Sequence, residues 1–262
     1  MIESFFFGAG SPKLFGAYHR PVGRCRAHAV LLCPALGHEY VQCHFAYKAL
    51  AGRLAESGFP VLRFEYRGLG NAEGRLAEAG LDDWVADVER ALEELARLSG
   101  ASQLCLAGIR LGATLAALAA GCSPAVDATL LWDPILEGKP YIAEITRRHA
   151  TFLAELPGSP MPPAQRDGLE ILGFRLGADL VRDIEELELA RLSRCLAAKR
   201  VLLLQDTETR LAADAERLLV GRCRRFDRLI EPPGEPWLER PHHVFLPGKA
   251  VGAIAGWMEG LA

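Results

Sequence analysis

The sequence lacks an apolar run near the roughly 20 residues that cross a bilayer, so we expect no membrane-spanning helix. The sequence also lacks a large excess of charge of either sign. The formal net charge is only −3, which gives no reason to expect nucleic acid or an anionic membrane as a partner. The first residues combine neither a basic stretch nor a long apolar core, so we expect no secretory signal. The composition that remains, 50% hydrophobic and 24% charged, is typical of a globular protein with a large core.

Paired cysteines are absent as well. The chain has seven cysteines, an odd number, and none forms a C-x-x-C pair. Several lie inside apolar runs, where cysteine behaves as a small buried hydrophobe, so a reducing cytoplasm is the predicted compartment. His38, Glu39, Cys43 and His44 lie close in sequence, but their spacing matches no zinc pattern. We therefore expect no metal and no cofactor.

Short β-rich apolar runs alternate with amphipathic stretches along the chain. This rhythm predicts an α/β protein with a mostly parallel central sheet flanked by helices. The predicted strands cover residues 5–7, 14–18, 29–33, 61–65, 103–107, 128–132, 201–204 and 225–230, the first two forming a hairpin. The predicted helices cover residues 45–57, 81–98, 111–121, 211–219 and 250–259.

The region 134–195 interrupts the alternation. It contains two helical stretches, 141–156 and 178–189, and a proline-rich loop at 157–163. About 60 residues between two core strands is much longer than most α/β connections, so the region should have structure of its own. We predict a helical lid over a pocket, inserted into a core made of residues 1–133 and 196–262. The alternative is a surface insertion with no role at the site.

One motif carries most of the functional information. Residues 108–112 read G-I-R-L-G, between the apolar run 103–107 and an alanine-rich stretch. The two glycines permit a sharp turn from a buried strand into a helix, which would present the central side chain at a pocket mouth. That central residue is Arg110. A guanidinium stays protonated and has no acceptor atom, so it can be neither nucleophile nor base.

The motif is similar to the nucleophile elbow G-x-S-x-G of α/β-hydrolases, with arginine in place of serine. Three other segments support the resemblance. Residues 65–74 (E-Y-R-G-L-G-N-A-E-G) resemble the family segment D-x-R-G-x-G-x-S, and residues 33–40 lie where the family has its oxyanion loop. Residues 241–245 (P-H-H-V-F) resemble the segment that carries the family's histidine. The resemblance covers nearly the whole chain. It implies the α/β-hydrolase fold and chemistry on esters, thioesters or carrier-bound acyl groups.

A closer resemblance is to proteins labelled exosortase-associated hydrolases or serine-aminopeptidase-like proteins. Their motifs C-P-x-L-G-x-E-Y, G-x-R-L-G-A-T-L-A and L-W-D-P match residues 33–40, 108–116 and 131–134. Arginine at the elbow is a regular feature of that subgroup. The resemblance therefore implies that Arg110 is not a chance loss of serine.

Two interpretations of Arg110 remain open. The helix predicted from Leu111 points its N-terminal amides at the elbow, where a cation is disfavoured by about 0.3–1 kcal/mol. In the first interpretation, Arg110 binds an anion, such as a carboxylate, a phosphate or an oxyanion, and acts as one of the catalytic residues. Alternatively, Arg110 forms a structural bridge to Glu65, Glu39 or Asp133 that closes the pocket.

The resemblance implies a base and an acid. His243 occupies the place of the base, and the adjacent His242 is the alternative, because only one of them faces the site in an extended segment. Asp133, at the end of a predicted strand, is the candidate acid that would orient the imidazole. Glu208 is a second candidate, one residue before the expected position at Thr209.

The oxyanion donors would be backbone amides. The resemblance implies the amide of Leu111 and one from Ala35 or Leu36, with Glu39 in the adjacent ligand-binding loop. Cys33 lies near this loop, but it is predicted to end a buried strand, which disfavours a nucleophilic role.

Three functions are compatible with these residues, and we favour the first because the histidine, the oxyanion loop and the predicted lid are all present. The first is an enzyme without a covalent intermediate, in which His243 activates water while Arg110 and the Leu111 amide hold the acyl or carboxylate charge. The second is an inactive homologue that binds an acidic or acyl ligand. The third is a scaffold that presents the insertion or a sheet edge to another protein. A small acyl or carboxylate molecule is the expected ligand, and a carrier protein is the macromolecular partner left open.

Overall fold

The computed structural model describes residues 1–155, 168–232, 238 and 245–261. Ten strands are found there: β1 (Ile2–Phe7), β2 (Leu14–His19), β3 (His28–Cys33), β4 (Val61–Glu65), β5 (Gln103–Ile109), β6 (Val126–Trp132), β7 (Gly168–Ile171), β8 (Phe174–Gly177), β9 (Arg200–Gln205) and β10 (Arg225–Ile230). The α-helices described are α1 (Gly37–Glu56), α2 (Leu81–Ser99), α3 (Leu111–Cys122), α4 (Gly138–Glu155), α5 (Ala178–Glu185), α6 (Leu189–Cys195), α7 (Arg210–Val220) and α8 (Gly248–Glu259).

Eight strands form one sheet in the order β1-β2-β4-β3-β5-β6-β9-β10. β2 is antiparallel to both β1 and β4, and the remaining neighbours are parallel. The central strand β3 is buried along its whole length, which explains its uninterrupted apolar sequence. The predicted mostly parallel sheet flanked by helices is confirmed.

The core lies on both faces of the sheet. One apolar cluster includes Trp84 of α2 and Leu115 of α3, and the other includes Leu50 of α1 and Ile254 of α8. α3 is buried on all sides, in keeping with its alanine-rich sequence. In the part of the chain that the structure describes, no helix combines the length and apolarity that a bilayer crossing requires.

α1 begins at Gly37, whereas the sequence predicted a start at residue 45. The first turns of this helix contain buried polar residues, Glu39 and Gln42, together with the exposed Val41. Those residues break the apolar periodicity from which a helix is recognised. The loop expected over residues 33–40 is therefore shorter, and Glu39 belongs to a helix.

The insertion between β6 and β9 contains α4, the hairpin β7–β8, α5 and α6. The predicted first helix is confirmed. The predicted second helix is confirmed over Ala178–Glu185 but ends four residues earlier than predicted, and α6 and the hairpin are additional to the prediction. The loop predicted at 157–163 lies outside the described residues. The boundaries of the insertion as a domain, and its action as a lid, stay predictions.

Candidate functional site

The elbow has the tight geometry that its two glycines predict. Arg110 joins the end of β5 to the start of α3 with φ 54° and ψ −127°, a conformation that costs a non-glycine residue about 1–3 kcal/mol. A Cβ on Gly108 would lie 2.3 Å from the carbonyl oxygen of Gly112. A Cβ on Gly112 would lie 2.2 Å from the carbonyl oxygen of Pro34. The turn is therefore packed backbone to backbone against the end of β3.

The guanidinium of Arg110 is held by three carboxylates. Its Nε donates to Oε1 of Glu39 at 3.2 Å, and its Nη1 donates to Oδ2 of Asp133 at 2.9 Å. Its Nη2 donates to Oε2 of Glu144 at 2.9 Å. The residue is only 6% exposed. Each nitrogen thus has its own acidic partner within the protein, and two of the three bridges predicted as the alternative, to Glu39 and Asp133, are present.

A second arginine completes the arrangement. Arg148 of α4 donates from Nη1 to Oε1 of Glu39 at 3.0 Å and pairs through Nη2 with Glu144. The hydroxyl of Tyr141 donates to the other oxygen of Glu39 at 3.3 Å, and its ring centroid lies 5.6 Å from Cζ of Arg110. We call the five charged residues the ion cluster: Glu39, Arg110, Asp133, Glu144 and Arg148.

The ion cluster keeps Arg110 charged and leaves a negative balance. Burial disfavours the charged guanidinium, but Glu39, Asp133 and Glu144 outweigh it and raise the pKa of Arg110 well above its ordinary value. Three carboxylates against two guanidinium groups leave one formal negative charge. An anionic ligand beside Arg110 would face that charge, so the contacts favour the bridging interpretation over the anion site.

The predicted oxyanion donors are close to the elbow. Leu111 is the first residue of α3, and first-turn amides have no acceptor within their own helix. Ala35 and Leu36 are buried in the short connection between β3 and α1. Glu65, the third bridge proposed for Arg110, instead accepts a hydrogen bond from the Tyr40 hydroxyl at 2.6 Å.

The two candidate acids have different surroundings. Asp133 follows β6 and belongs to the ion cluster, with its side chain 26% exposed. Glu208 is 70% exposed and lies 3.5 Å from Arg228, away from the ion cluster. Thr209 caps α7, because its hydroxyl accepts from the amide of Ala212 at 3.1 Å. Of the two acids, only Asp133 is brought to the elbow.

His242 and His243 lie outside the described residues. The nearest described residue on the C-terminal side is Phe245, whose amide donates to the carbonyl of Gln42 at 3.3 Å. The ring centroid of Phe245 lies 5.6 Å from that of Trp132, the residue before Asp133. The role of His243 as a base stays a prediction.

Two thiols near the elbow are buried. Burial raises the pKa of both Cys33 and Cys43 well above the ordinary value for a thiol, which disfavours the thiolate that a nucleophile requires. Among the described residues, no three His, Cys, Asp or Glu side chains are grouped as ligands of one metal ion. We assign no residue of the site to a metal.

Sequence reasoning missed three members of the site, all on α4. Tyr141, Glu144 and Arg148 follow one another at helical spacing on one face, and the glutamate and arginine form an i,i+4 pair. Such a pair usually lies on a solvated helix surface, which is why it gave no functional signal. The sequence sign that this part of the helix packs inward was the apolar group of Tyr141, Ile142 and Ile145, all of which are buried.

The strand order, the tight turn after β5 and the helix that follows it define an α/β-hydrolase fold. The family model described as serine aminopeptidase, S33 matches residues 27–200, about two thirds of the chain. The chain therefore belongs to this family of hydrolases. No curated protein sequence matches the chain.

Solved structures support the same fold. Est1E from Butyrivibrio proteoclasticus, solved with ferulic acid bound, is 18% identical with a TM-score of 0.68, covering 97% of each chain. Alpha/beta hydrolase domain-containing protein 10 from mouse is 18% identical with a TM-score of 0.62, covering 99% of this chain and 100% of the mouse chain. The thioesterase domain from the curacin biosynthetic pathway is 17% identical with a TM-score of 0.60, covering 98% of this chain and 99% of that domain.

Proposed function

We propose that this hydrolase-family protein binds a small acyl or carboxylate ligand without hydrolysing it. One observation carries the proposal: the apex of the elbow is occupied by Arg110, and each of its three nitrogens donates to a carboxylate of the protein itself. A guanidinium cannot attack an acyl carbon. Loss of the triad serine removes most of the rate enhancement and leaves only what binding and the oxyanion hole supply.

The ligand class follows from the relatives. The family is one of hydrolases, and the similar structures include Est1E with ferulic acid bound and a thioesterase domain. Esters, thioesters and their carboxylic acids are therefore the compounds to test first. A carrier protein bearing an acyl group is included in this proposal.

A second candidate function is hydrolysis by activated water. Phe245 packs on Trp132, beside Asp133, and His243 is two residues before Phe245 in the chain. Asp133 is partly exposed and carries part of the net negative charge of the ion cluster, so it suits a partner that becomes an imidazolium. In this mechanism His243 takes a proton from water, and the amides of Leu111 and of Ala35 or Leu36 hold the oxyanion.

A labelling experiment and a turnover experiment separate the two candidates. We expect a fluorophosphonate probe to leave the protein unlabelled, and p-nitrophenyl butyrate and an acyl thioester to be hydrolysed no faster than without protein. Turnover that disappears in His243→Ala would instead establish the water mechanism. Labelling at any serine would overturn both candidates, because each assigns the protein no nucleophilic hydroxyl.

Three narrower statements belong to the same proposal. The arginine at the elbow and the motif L-W-D-P support membership of the subgroup that resembles exosortase-associated hydrolases. The contacts of Glu144 with Arg110 and of Arg148 with Glu39 support a lid role for the insertion. All seven cysteines are free thiols, which supports the reducing cytoplasm.

A further inference from the structure

A cavity of about 240 Å³ lies beside the site, between the β1–β2 hairpin, β4 and the first half of α1. Its walls are largely apolar and include Phe15, Ala17 and Tyr47. No member of the ion cluster lines it. The proteins of this fold are expected to bind ligands in concave pockets with a few placed polar groups.

Arg63 is the cationic group of the cavity wall. Its Nε donates to Nε2 of His19 at 3.1 Å, which fixes the orientation of the guanidinium. Burial, and then the charge of Arg63, lower the pKa of His19 to about 4, so this imidazole is a neutral acceptor at ordinary pH. Within the described part of the chain, Arg63 forms no salt bridge, and neither of its Nη atoms has a hydrogen-bond acceptor. Arg63 thus lines the cavity with four unused N–H donors.

Glu65 lies on the same face of β4 but its oxygens are already used. Oε1 accepts from the Tyr40 hydroxyl at 2.6 Å, and Oε2 accepts from the side-chain amide of Asn71 at 3.2 Å and from the backbone amide of the same residue. Lys48, which is exposed about two helical turns after Tyr40 in α1, adds a second positive charge, and this charge acts on His19 beside Arg63. Hydrogen bonds from neutral donors leave Glu65 charged, so Arg63 and Lys48 against Glu65 give the region one formal positive charge, which favours an anion.

We propose that this cavity binds the carboxylate of a small carboxylic acid through the Nη atoms of Arg63, with the apolar body of the acid against Phe15, Ala17 and Tyr47. The planar fork of a guanidinium matches the two oxygens of a carboxylate, and the apolar wall suits an aromatic or short aliphatic group. The site rests on the proposed binding function, whose ligand class it narrows to free acids. The cavity shares Ala35, a candidate oxyanion donor, with the surroundings of the elbow, but none of the ion cluster lines it.

Benzoate is the probe, titrated into the full-length chain by calorimetry, with the neutral and nearly isosteric benzamide as its control. We expect saturable binding of benzoate and at least tenfold weaker binding of benzamide, because a hydrogen-bonded charge contributes about a factor of ten or more. Arg63→Met should weaken benzoate binding by the same factor. Arg53→Met, which removes an exposed arginine of α1, should leave it unchanged.

Ala17→Met keeps Arg63 but fills the cavity, so it should abolish benzoate binding. It provides a second test if thermal melting shows that Arg63→Met does not fold. The site is refuted by an absence of saturable benzoate binding, by equal binding of benzamide, or by full binding in folded Arg63→Met or Ala17→Met. The turnover experiment on esters decides the proposed function independently. Ester turnover together with benzoate binding at Arg63 would refute the proposed function and leave the cavity site standing. A protein that neither turns over esters nor binds benzoate would refute the cavity site alone.

Discussion

Substitution of Glu39 by glutamine tests whether the ion cluster holds the elbow together. Glu39 is 4% exposed and its Oε1 accepts from both Arg110 and Arg148. Glutamine keeps the shape of the side chain but removes the charge that both guanidinium groups share. Two buried cations would then depend on Asp133 and Glu144, whose side chains are 26% and 33% exposed and so more strongly screened.

We expect Glu39→Gln to lower the free energy of unfolding by about 3 kcal/mol, since breaking a buried pair costs about 3–5 kcal/mol and the amide oxygen retains a neutral hydrogen bond. Urea unfolding followed by circular dichroism gives this number, provided that the slope with urea is unchanged. Glu144→Gln is the matched control. It removes the same charge from a more exposed carboxylate and should cost about 1 kcal/mol.

Equal losses for the two variants, or a loss below about 1 kcal/mol for Glu39→Gln, would contradict the central role of Glu39. The pair can also be replaced as a unit. Glu39→Met combined with Arg110→Met should cost less than the two single changes together, because the loss of the Glu39–Arg110 contact is then counted once, while Arg148, Asp133 and Glu144 lose the same partners as in the single variants.

Three other predictions concern the glycines, the acid stability and the thiols. Gly112→Ala should destabilise the protein by several kcal/mol in urea unfolding, because its Cβ would meet the Pro34 carbonyl, whereas Gly252→Ala in the open part of α8 should be neutral or stabilise by up to about 1 kcal/mol; a mild effect at Gly112 would contradict the tight elbow. The pKa of His19 is lowered to about 4, against about 6.5 in the unfolded chain, so protonation favours unfolding and stability should fall as pH drops from about 6.5 to about 4. His19→Gln should show a shallower decline over that range, and parallel curves would refute the assignment. Exposed Cys25 and Cys122 should react with Ellman's reagent in the native protein, while buried Cys33, Cys43 and Cys105 should react only after unfolding; mass spectrometry locates the modified thiols.

The sheet was largely predictable because its signals are local. β3 and β5 are short apolar runs with helical patterns after them, and the G-x-x-x-G spacing around Arg110 fixes the turn between β5 and α3. Periodicity and glycine placement are enough for such elements. The same signals failed where polar residues turn inward. In the first turns of α1 the buried face carries the polar residues Glu39 and Gln42, so apolar periodicity does not extend to the start of the helix.

The site was predictable only in part, because its members come from separate regions of the chain. Arg110 and Asp133 directly follow neighbouring parallel strands, at the carboxyl end of the sheet, and the sequence predicts that position. Glu144 and Arg148 lie on the inserted α4, where apolar residues indicate a buried face but no local pattern indicates which residues that face contacts. The pairing of Glu144 with Arg110, and of Arg148 with Glu39, depends on how the insertion packs, which is a tertiary property.

The contacts between α4 and the elbow have a kinetic consequence. Moving α4 away from α1 and β5 would separate Glu144 and Arg148 from Arg110 and Glu39 in one step, and each buried charge would have to regain its water before the next contact could form. Partial opening gains little hydration and loses whole ion pairs. The insertion should therefore open as a single rare event rather than by gradual fraying, with amide exchange in α4 occurring in concert.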